Sequence, residues 1–162
     1  NMTSDANKGI TNIAYNYLNL PEQINFSDGT LISYLYTSDG SKLKKVTNNG
    51  STSTTTDYAA GFVYTDNNLQ FAGIEEGRML YNDQSGAFDR EGFLLDHLGN
   101  VRVVFADNNS DGVAEVVQEN HYYPFGLSMG ALNYTNTLEN KFKYNLPFRQ
   151  AGGKEQIGRA HV

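Results

Sequence analysis

Apolar and aromatic residues alternate with polar ones in short runs along this chain, and polar turns separate the runs. In Leu31-Ile32-Ser33-Tyr34-Leu35-Tyr36, side chains two apart share a face of a strand, so Ile32, Tyr34 and Tyr36 face one way and Leu31, Ser33 and Leu35 the other. The aromatic face is expected to point inward. Asp28-Gly29, Asp39-Gly40 and Asn49-Gly50 interrupt this region every ten or eleven residues, and both dipeptides tolerate the positive φ of a tight hairpin. The first third is therefore predicted to be an antiparallel meander. Asn48 to Asp57 holds only Asn, Gly, Ser, Thr and Asp, and is predicted to be a long hairpin tip or exposed loop.

Beyond Phe62 the apolar pieces shorten to Phe62-Val63-Tyr64, Leu69-Gln70-Phe71 and Arg78-Met79-Leu80-Tyr81, each fitting a strand of a few residues. From Asn100 to Phe105 the alternation puts Val101, Val103 and Phe105 on one face, and Val113 to Tyr122 supplies a return strand across the loop Ala106 to Gly112. No stretch sustains a 3.6-residue period. One helical turn is predicted near Leu132 to Lys141. A hairpin period of about twenty residues is visible in the first half and fades in the second, as where a repeat array gives way to a modified end.

Composition agrees with an all-β chain: 16 Gly, 11 Tyr and 9 Phe, with no Trp and no Cys. The absence of cysteine excludes a disulfide scaffold and a thiolate metal site. The net charge of -6, with basic residues scattered apart from Lys42, Lys44 and Lys45, argues against nucleic-acid binding, which needs clustered cations. No apolar run approaches the roughly 18 residues of a helical membrane span, and no signal peptide opens the chain.

Two segments carry a family resemblance. Phe93-Leu94-Leu95-Asp96-His97-Leu98-Gly99-Asn100-Val101-Arg102 is followed, after the Asp/Asn/Gly loop, by His121-Tyr122-Tyr123-Pro124-Phe125-Gly126. This pairing resembles the RHS repeat-associated core of YD-repeat proteins, and Ile32 to Val46 resembles one YD repeat. The resemblance spans roughly residues 5 to 145. It implies YD-repeat-like hairpins over 1–60 and an RHS core segment over 61–145. Residues 146–162 are set aside as a non-native tail, because Ile157 to Val162 looks like the translation of a sequencing-library adapter.

The resemblance also implies an all-β fold: an antiparallel meander of short hairpins forming a curved open sheet, part of a larger β-shell or spiral. Related barrels occur in insecticidal toxin complexes, and in bacterial members the shell encloses a C-terminal toxin. The family's structural signature falls on Asp96, His97, Leu98, Gly99, Asn100, Val101, Arg102, Tyr122, Tyr123, Pro124, Phe125 and Gly126. The family's autoproteolytic motif has no match in residues 126 to 162.

Candidate chemistry is sparse. Asp107, Asn109, Asp111 and Glu115 lie in a D-x-[DN]-x-[DN]-G pattern that fits the start of a calcium loop, but Gln118 stands where an EF-hand needs its closing Glu. His97 is expected to hydrogen-bond backbone in a turn, and His121 to sit on a rim strand. Glu75, Glu76, Asp83, Asp89, Glu91 and Asp96 supply carboxylates for pairing, yet sequence sets no separation between them. Tyr122, Tyr123, Phe125 and the Tyr15/Tyr17 and Tyr34/Tyr36 pairs offer a possible aromatic platform for sugar rings. N-x-[ST] sequons start at Asn1, Asn25, Asn49, Asn108 and Asn133 and arise freely in a chain so rich in Asn, Ser and Thr.

The expectation is a non-catalytic structural segment of a large secreted or cell-surface YD-repeat protein, without a cofactor. Its partners would be the neighbouring repeats and an enclosed toxin domain. The alternative is a calcium-stabilised β-sandwich that binds glycan or protein. An enzymatic reading has no motif behind it.

Overall fold

The computed structural model describes residues 1–123, 126–135, 139–141 and 143. Twelve strands follow one another: β1 (Ile10–Tyr15), β2 (Pro21–Phe26), β3 (Leu31–Tyr36), β4 (Lys42–Asn48), β5 (Ser53–Ala59), β6 (Phe62–Thr65), β7 (Asn68–Ile74), β8 (Gly77–Asn82), β9 (Ala87–Leu95), β10 (Val101–Ala106), β11 (Glu115–Glu119) and β12 (Tyr134–Thr135). They lie in chain order in one sheet that begins at β1 and ends at β12, an open antiparallel meander and not a two-sheet sandwich. The only helical pieces among the described residues are single 3-10 turns at Ala6–Lys8 and Gly130–Leu132. By its contacts the chain divides within β7 into a first unit, Asn1–Leu69, and a second from Gln70 onward.

One turn geometry recurs at 16–20, 26–30, 37–41, 96–100 and between Tyr123 and Leu127. The N–H of the first residue donates to the carbonyl of the fifth at 2.8–2.9 Å, and the N–H of the fourth donates to the carbonyl of the first at 3.0–3.2 Å. The fourth residue has positive φ: Asn19 58°, Gly29 86°, Gly40 88°, Gly99 83° and Gly126 83°. At the first four of these sites this is the three-residue hairpin loop, a type I turn closed by a left-handed residue. Only the glycine of each predicted Asp-Gly pair is left-handed. The aspartate instead accepts the N–H two residues on, Asp28 from Thr30 at 2.8 Å and Asp39 from Ser41 at 3.4 Å.

The predicted loop over residues 48–57 is instead the end of β4, a turn at 49–52 and most of β5, with Lys45 opposite Thr56, Val46 opposite Thr55 and Asn48 opposite Ser53. Polarity misled here. β-branched Thr suits extended backbone, and a sheet face that stays half-exposed needs no apolar side chains. The outer positions of β5 are accordingly exposed.

The clean alternation predicted for β10 is also broken. The register slips between Val101 and Val103 against β9, and between Val104 and Phe105 against β11. Each bulge inserts a residue and flips the faces beyond it, so the buried set is Val101, Val104 and Ala106, while Val103 and Phe105 are only partly buried. The return strand β11 is shorter than predicted. The helical turn expected near 132–141 is, in its described part, a 3-10 turn that ends at Leu132 and gives way to β12, paired with Gln118 and Glu119 of β11.

Each unit has its own apolar cluster. In the first, Ile13 opposes Ile24 and Ile24 opposes Ile32 across three strands, with Ile10 and Phe26 beside them and Tyr15 and Tyr34 packed against the group. In the second, Phe93, Val101, Val104, Ala106 and Val117 cluster, with Leu95 packed on them. Gly92 makes room here: a Cβ at that position would come within 2.2 Å of the Phe105 ring, which lies across the backbone of β9.

Candidate functional site

The signature over 96–102 builds a turn and then anchors the chain beyond it. Asp96 Oδ1 accepts the N–H groups of Leu98 and Asn100, both at 3.0 Å, while Oδ2 accepts the Asn100 side-chain amide at 2.9 Å. Burial works against the carboxylate. The hydrogen bonds from Asn100 and Leu98 and the nearby Arg102 charge outweigh it, and hold the Asp96 pKa below its ordinary 3.8. His97 and Leu98 are exposed at the tip. The turn is held by Asp96, in place of the backbone hydrogen bond expected from His97.

Val101 is fully buried and forms the centre of a backbone knot. Its carbonyl accepts the Tyr122 hydroxyl at 2.9 Å and the Asn120 amide at 3.2 Å, and its N–H donates to the Lys143 carbonyl at 2.8 Å. The Tyr122 oxygen also lies 3.1 Å from the Lys143 carbonyl, and the Arg102 guanidinium carbon lies 5.5 Å from the Tyr122 ring centroid. Burial pushes the Tyr122 hydroxyl well above its ordinary pKa. Tyr123 and Gly126 belong to the next turn, with Tyr123 exposed and Gly126 buried. Pro124 and Phe125 lie outside the described residues.

Gln118, Asn120 and Asn140 extend this knot, each 1% exposed. The Gln118 amide donates to Asn120 Oδ1 at 2.9 Å and to the Asn140 carbonyl at 3.2 Å, and its oxygen accepts the Asn140 N–H at 2.7 Å. Gln118 thereby bridges to chain 22 residues away. The buried Lys143 ammonium pairs with Glu139. Sequence reading missed Asn120, Asn140 and Lys143 and saw Gln118 only as a failed calcium ligand. The available signal was an amide side chain among the valines of a strand, because a buried amide must be satisfied.

A second buried polar pair joins β8 to β9. Arg78 Nε donates to Glu91 Oε2 at 2.6 Å with both side chains 4% exposed, and the Arg78 guanidinium lies over the Phe71 ring. Glu91 is thus committed to Arg78. Of the other candidate carboxylates, Glu75, Glu76 and Asp83 sit exposed in turns, Asp89 is exposed on β9, and Asp96 holds its own turn.

In the loop at 107–115, Asp107 accepts the N–H groups of Asp111 at 3.1 Å and Gly112 at 2.9 Å, and Asp111 Oδ1 accepts that of Val113 at 2.8 Å. The Asn109 amide donates to Asp111 Oδ2 at 3.0 Å and to Glu115 Oε1 at 3.4 Å. The four predicted calcium ligands are therefore brought together, with their oxygens turned toward N–H donors. No group of three or more His, Asp or Glu side chains among the described residues is arranged to hold a metal.

Tyr15 packs on the isoleucine cluster and donates to the Met2 carbonyl at 2.6 Å, whereas Tyr17 is 81% exposed beyond the end of β1. His121 lies just past β11, 3.9 Å from Glu119.

One cluster was not foreseen. Tyr34 and Tyr36 on β3, Lys42 and Lys45 on β4 and Tyr58 on β5 gather on one face, while Lys44 pairs with Asp57 at 3.2 Å on the other. The Lys42 ammonium lies 4.8 Å from the Tyr34 ring centroid and 5.6 Å from that of Tyr58. Burial first, and the like charge of Lys45 second, lower the Lys42 pKa from 10.5 to about 8. The faces of the two rings attract the ammonium and act against this lowering. Burial likewise pushes Tyr34 and Tyr36 each up to about 12, and raises Tyr58.

No family model matches this chain, and no curated protein does. Solved structures do match. Over 90% of its length the chain is similar to the Photorhabdus luminescens Tc holotoxin pore carrying a TccC3 mutation (TM-score 0.65, 16% identity). The same share is similar to crystal structures of TcdB2-TccC3-TEV (0.67, 15%) and of TcdB2-TccC3 without its hypervariable C-terminal region (0.64, 15%). The chain spans 8% of each of those chains. At these identities the likeness is one of fold. The hairpin meander is the fold of a short stretch of much longer toxin-complex chains.

Proposed function

We propose that this chain is a non-catalytic wall segment of a large secreted or surface-displayed YD-repeat protein, part of a β-shell that encloses or presents a C-terminal effector. The observation that carries this reading is an open sheet in strict chain order that corresponds, over nine-tenths of its length, to a small fraction of toxin-complex chains. Sheets of this kind bury their faces and satisfy their edges through neighbours. The partners are accordingly further hairpins of the same protein, next to β1 and β12, and the effector that such a wall would surround. Among the described residues no helix is long and apolar enough to cross a membrane.

The side chains with the most specific contacts support this reading. Asp96, Gln118, Asn120 and Tyr122 spend their hydrogen bonds on backbone, that of Val101 included, and on neighbouring amide side chains, which suits holding the wall together. The test is the complete coding sequence, expressed and imaged by electron microscopy. A hollow particle with these hairpins in its wall supports the proposal, and a free-standing domain with these strands at its centre overturns it.

A further inference from the structure

The hydrogen bonds that join the sheet to the chain around Asn140 and Lys143 fall on main-chain atoms of that segment. The Gln118 carboxamide takes both polar groups of one residue: its oxygen accepts the Asn140 N–H at 2.7 Å and its nitrogen donates to the Asn140 carbonyl at 3.2 Å. In extended backbone the N–H and C=O of a residue point the same way, so one carboxamide meets both, as a neighbouring strand would. Further along, the Lys143 carbonyl accepts the Val101 N–H at 2.8 Å and lies 3.1 Å from the Tyr122 hydroxyl oxygen. We propose that β10, β11 and Tyr122 form a peptide-binding cleft that holds a short segment by its main chain. The chain around Asn140 and Lys143 is its resident ligand, and a peptide supplied from outside can replace it.

The cleft is set in advance of its ligand. Gln118 donates to Asn120 Oδ1 at 2.9 Å, and Asn120 and Tyr122 both donate to the Val101 carbonyl, at 3.2 and 2.9 Å. The groups that read the ligand therefore fix one another, which lowers the ordering cost of binding. Val101, Gln118, Asn120 and Asn140 are all buried, so water competes little for these bonds. The Lys143 ammonium pairs with Glu139, a contact internal to the segment. The Asn140 side chain is buried as well. The ligand class is thus a short peptide with asparagine at the doubly read position.

The proposal is independent of the shell reading. It is tested on the whole chain carrying an N-terminal affinity tag and a protease site inserted between Thr137 and Leu138. After cleavage on the resin, the piece that begins at Leu138 should stay bound through washing and be released by a synthetic peptide of residues 138–145. A peptide with an ester in place of the Glu139–Asn140 amide lacks the Asn140 N–H without added bulk, and about tenfold more of it should be needed. A Lys143→Met peptide loses the internal ion pair and keeps the main-chain contacts. It should act within about threefold of the parent, because the half-exposed Glu139 stays solvated. Retention, release and the gap between ester and parent support the cleft. Loss of the piece on cleavage, failure of the parent peptide to release it, an ester as potent as the parent, or a Lys143→Met peptide as weak as the ester overturns it.

Discussion

The two units use the same hairpin turn but fill their buried positions differently. In the first, the centre is a ladder of isoleucines, Ile13, Ile24 and Ile32, one per strand and interchangeable in character. In the second, a valine-rich cluster sits with buried groups of fixed partnership: Arg78 with Glu91, Gln118 with Asn140, and Val101 with Asn120, Tyr122 and Lys143. An apolar ladder is non-directional, and any hairpin carrying alternating apolar residues extends it. A satisfied polar network accepts one register and one partner and penalises every other. The contrast separates a repeat that can be copied along a sheet from a segment that fixes where chain distant in sequence must lie.

This contrast can be broken experimentally. The largest effect is expected from Glu91→Ala, which leaves the Arg78 guanidinium buried without its carboxylate. Amide hydrogen exchange over β8 and β9 should report a loss of about 3–5 kcal/mol, whereas replacing both partners by Met and Leu should come out near neutral. Next comes a matched pair of swaps of similar volume. Gln118→Met removes the acceptor of the Asn140 N–H and the donor to Asn120 Oδ1 and should cost about 2–4 kcal/mol, while Ile24→Leu in the ladder should cost less than about 1.5 kcal/mol. Equal costs would erase the distinction between the two regions.

The Asp96 turn gives a smaller and pH-dependent effect. The folded-state pKa of Asp96 lies below its ordinary 3.8, so its contribution is present above that value and is lost as pH falls through the folded pKa. Protection of the Leu98 and Asn100 amides should fall in acid more steeply for the wild type than for Asp96→Asn, which keeps an acceptor but no charge. The smallest expectation is zero. With Asp107 and Asp111 turned toward N–H donors and the Asn109 amide directed at the carboxylates, millimolar calcium should leave exchange over 107–115 unchanged. Slower exchange there would establish the calcium loop.

Much of the architecture was legible in the sequence, because glycine spacing and period-2 alternation act locally. Gly29, Gly40 and Gly99 each mark the left-handed position of a turn, and Ile32, Tyr34 and Tyr36 share the inner face as their spacing implies. Legibility failed where a local rule had a non-local answer. The Thr-rich β5 is a strand because β4 and β6 lie beside it. The faces of β10 depend on bulges set by the strands on both sides. For the site, the motif marked Asp96 and Tyr122 without disclosing that Tyr122 reaches the carbonyls of Val101 and Lys143, since nothing local in the sequence names an acceptor 21 residues away. The Lys42 cluster was hidden for the same reason: Tyr58 comes from a segment read as lying at the margin of a loop.

The most direct test of the central claim, that these hairpins are completed by neighbours, is the behaviour of the 162-residue chain alone, by size exclusion with light scattering and amide exchange by strand. The account predicts self-association or partial folding, with β1 and β12 exchanging fastest and protection concentrated around β9–β11. A monodisperse, sharply melting monomer with protected edge strands would contradict it.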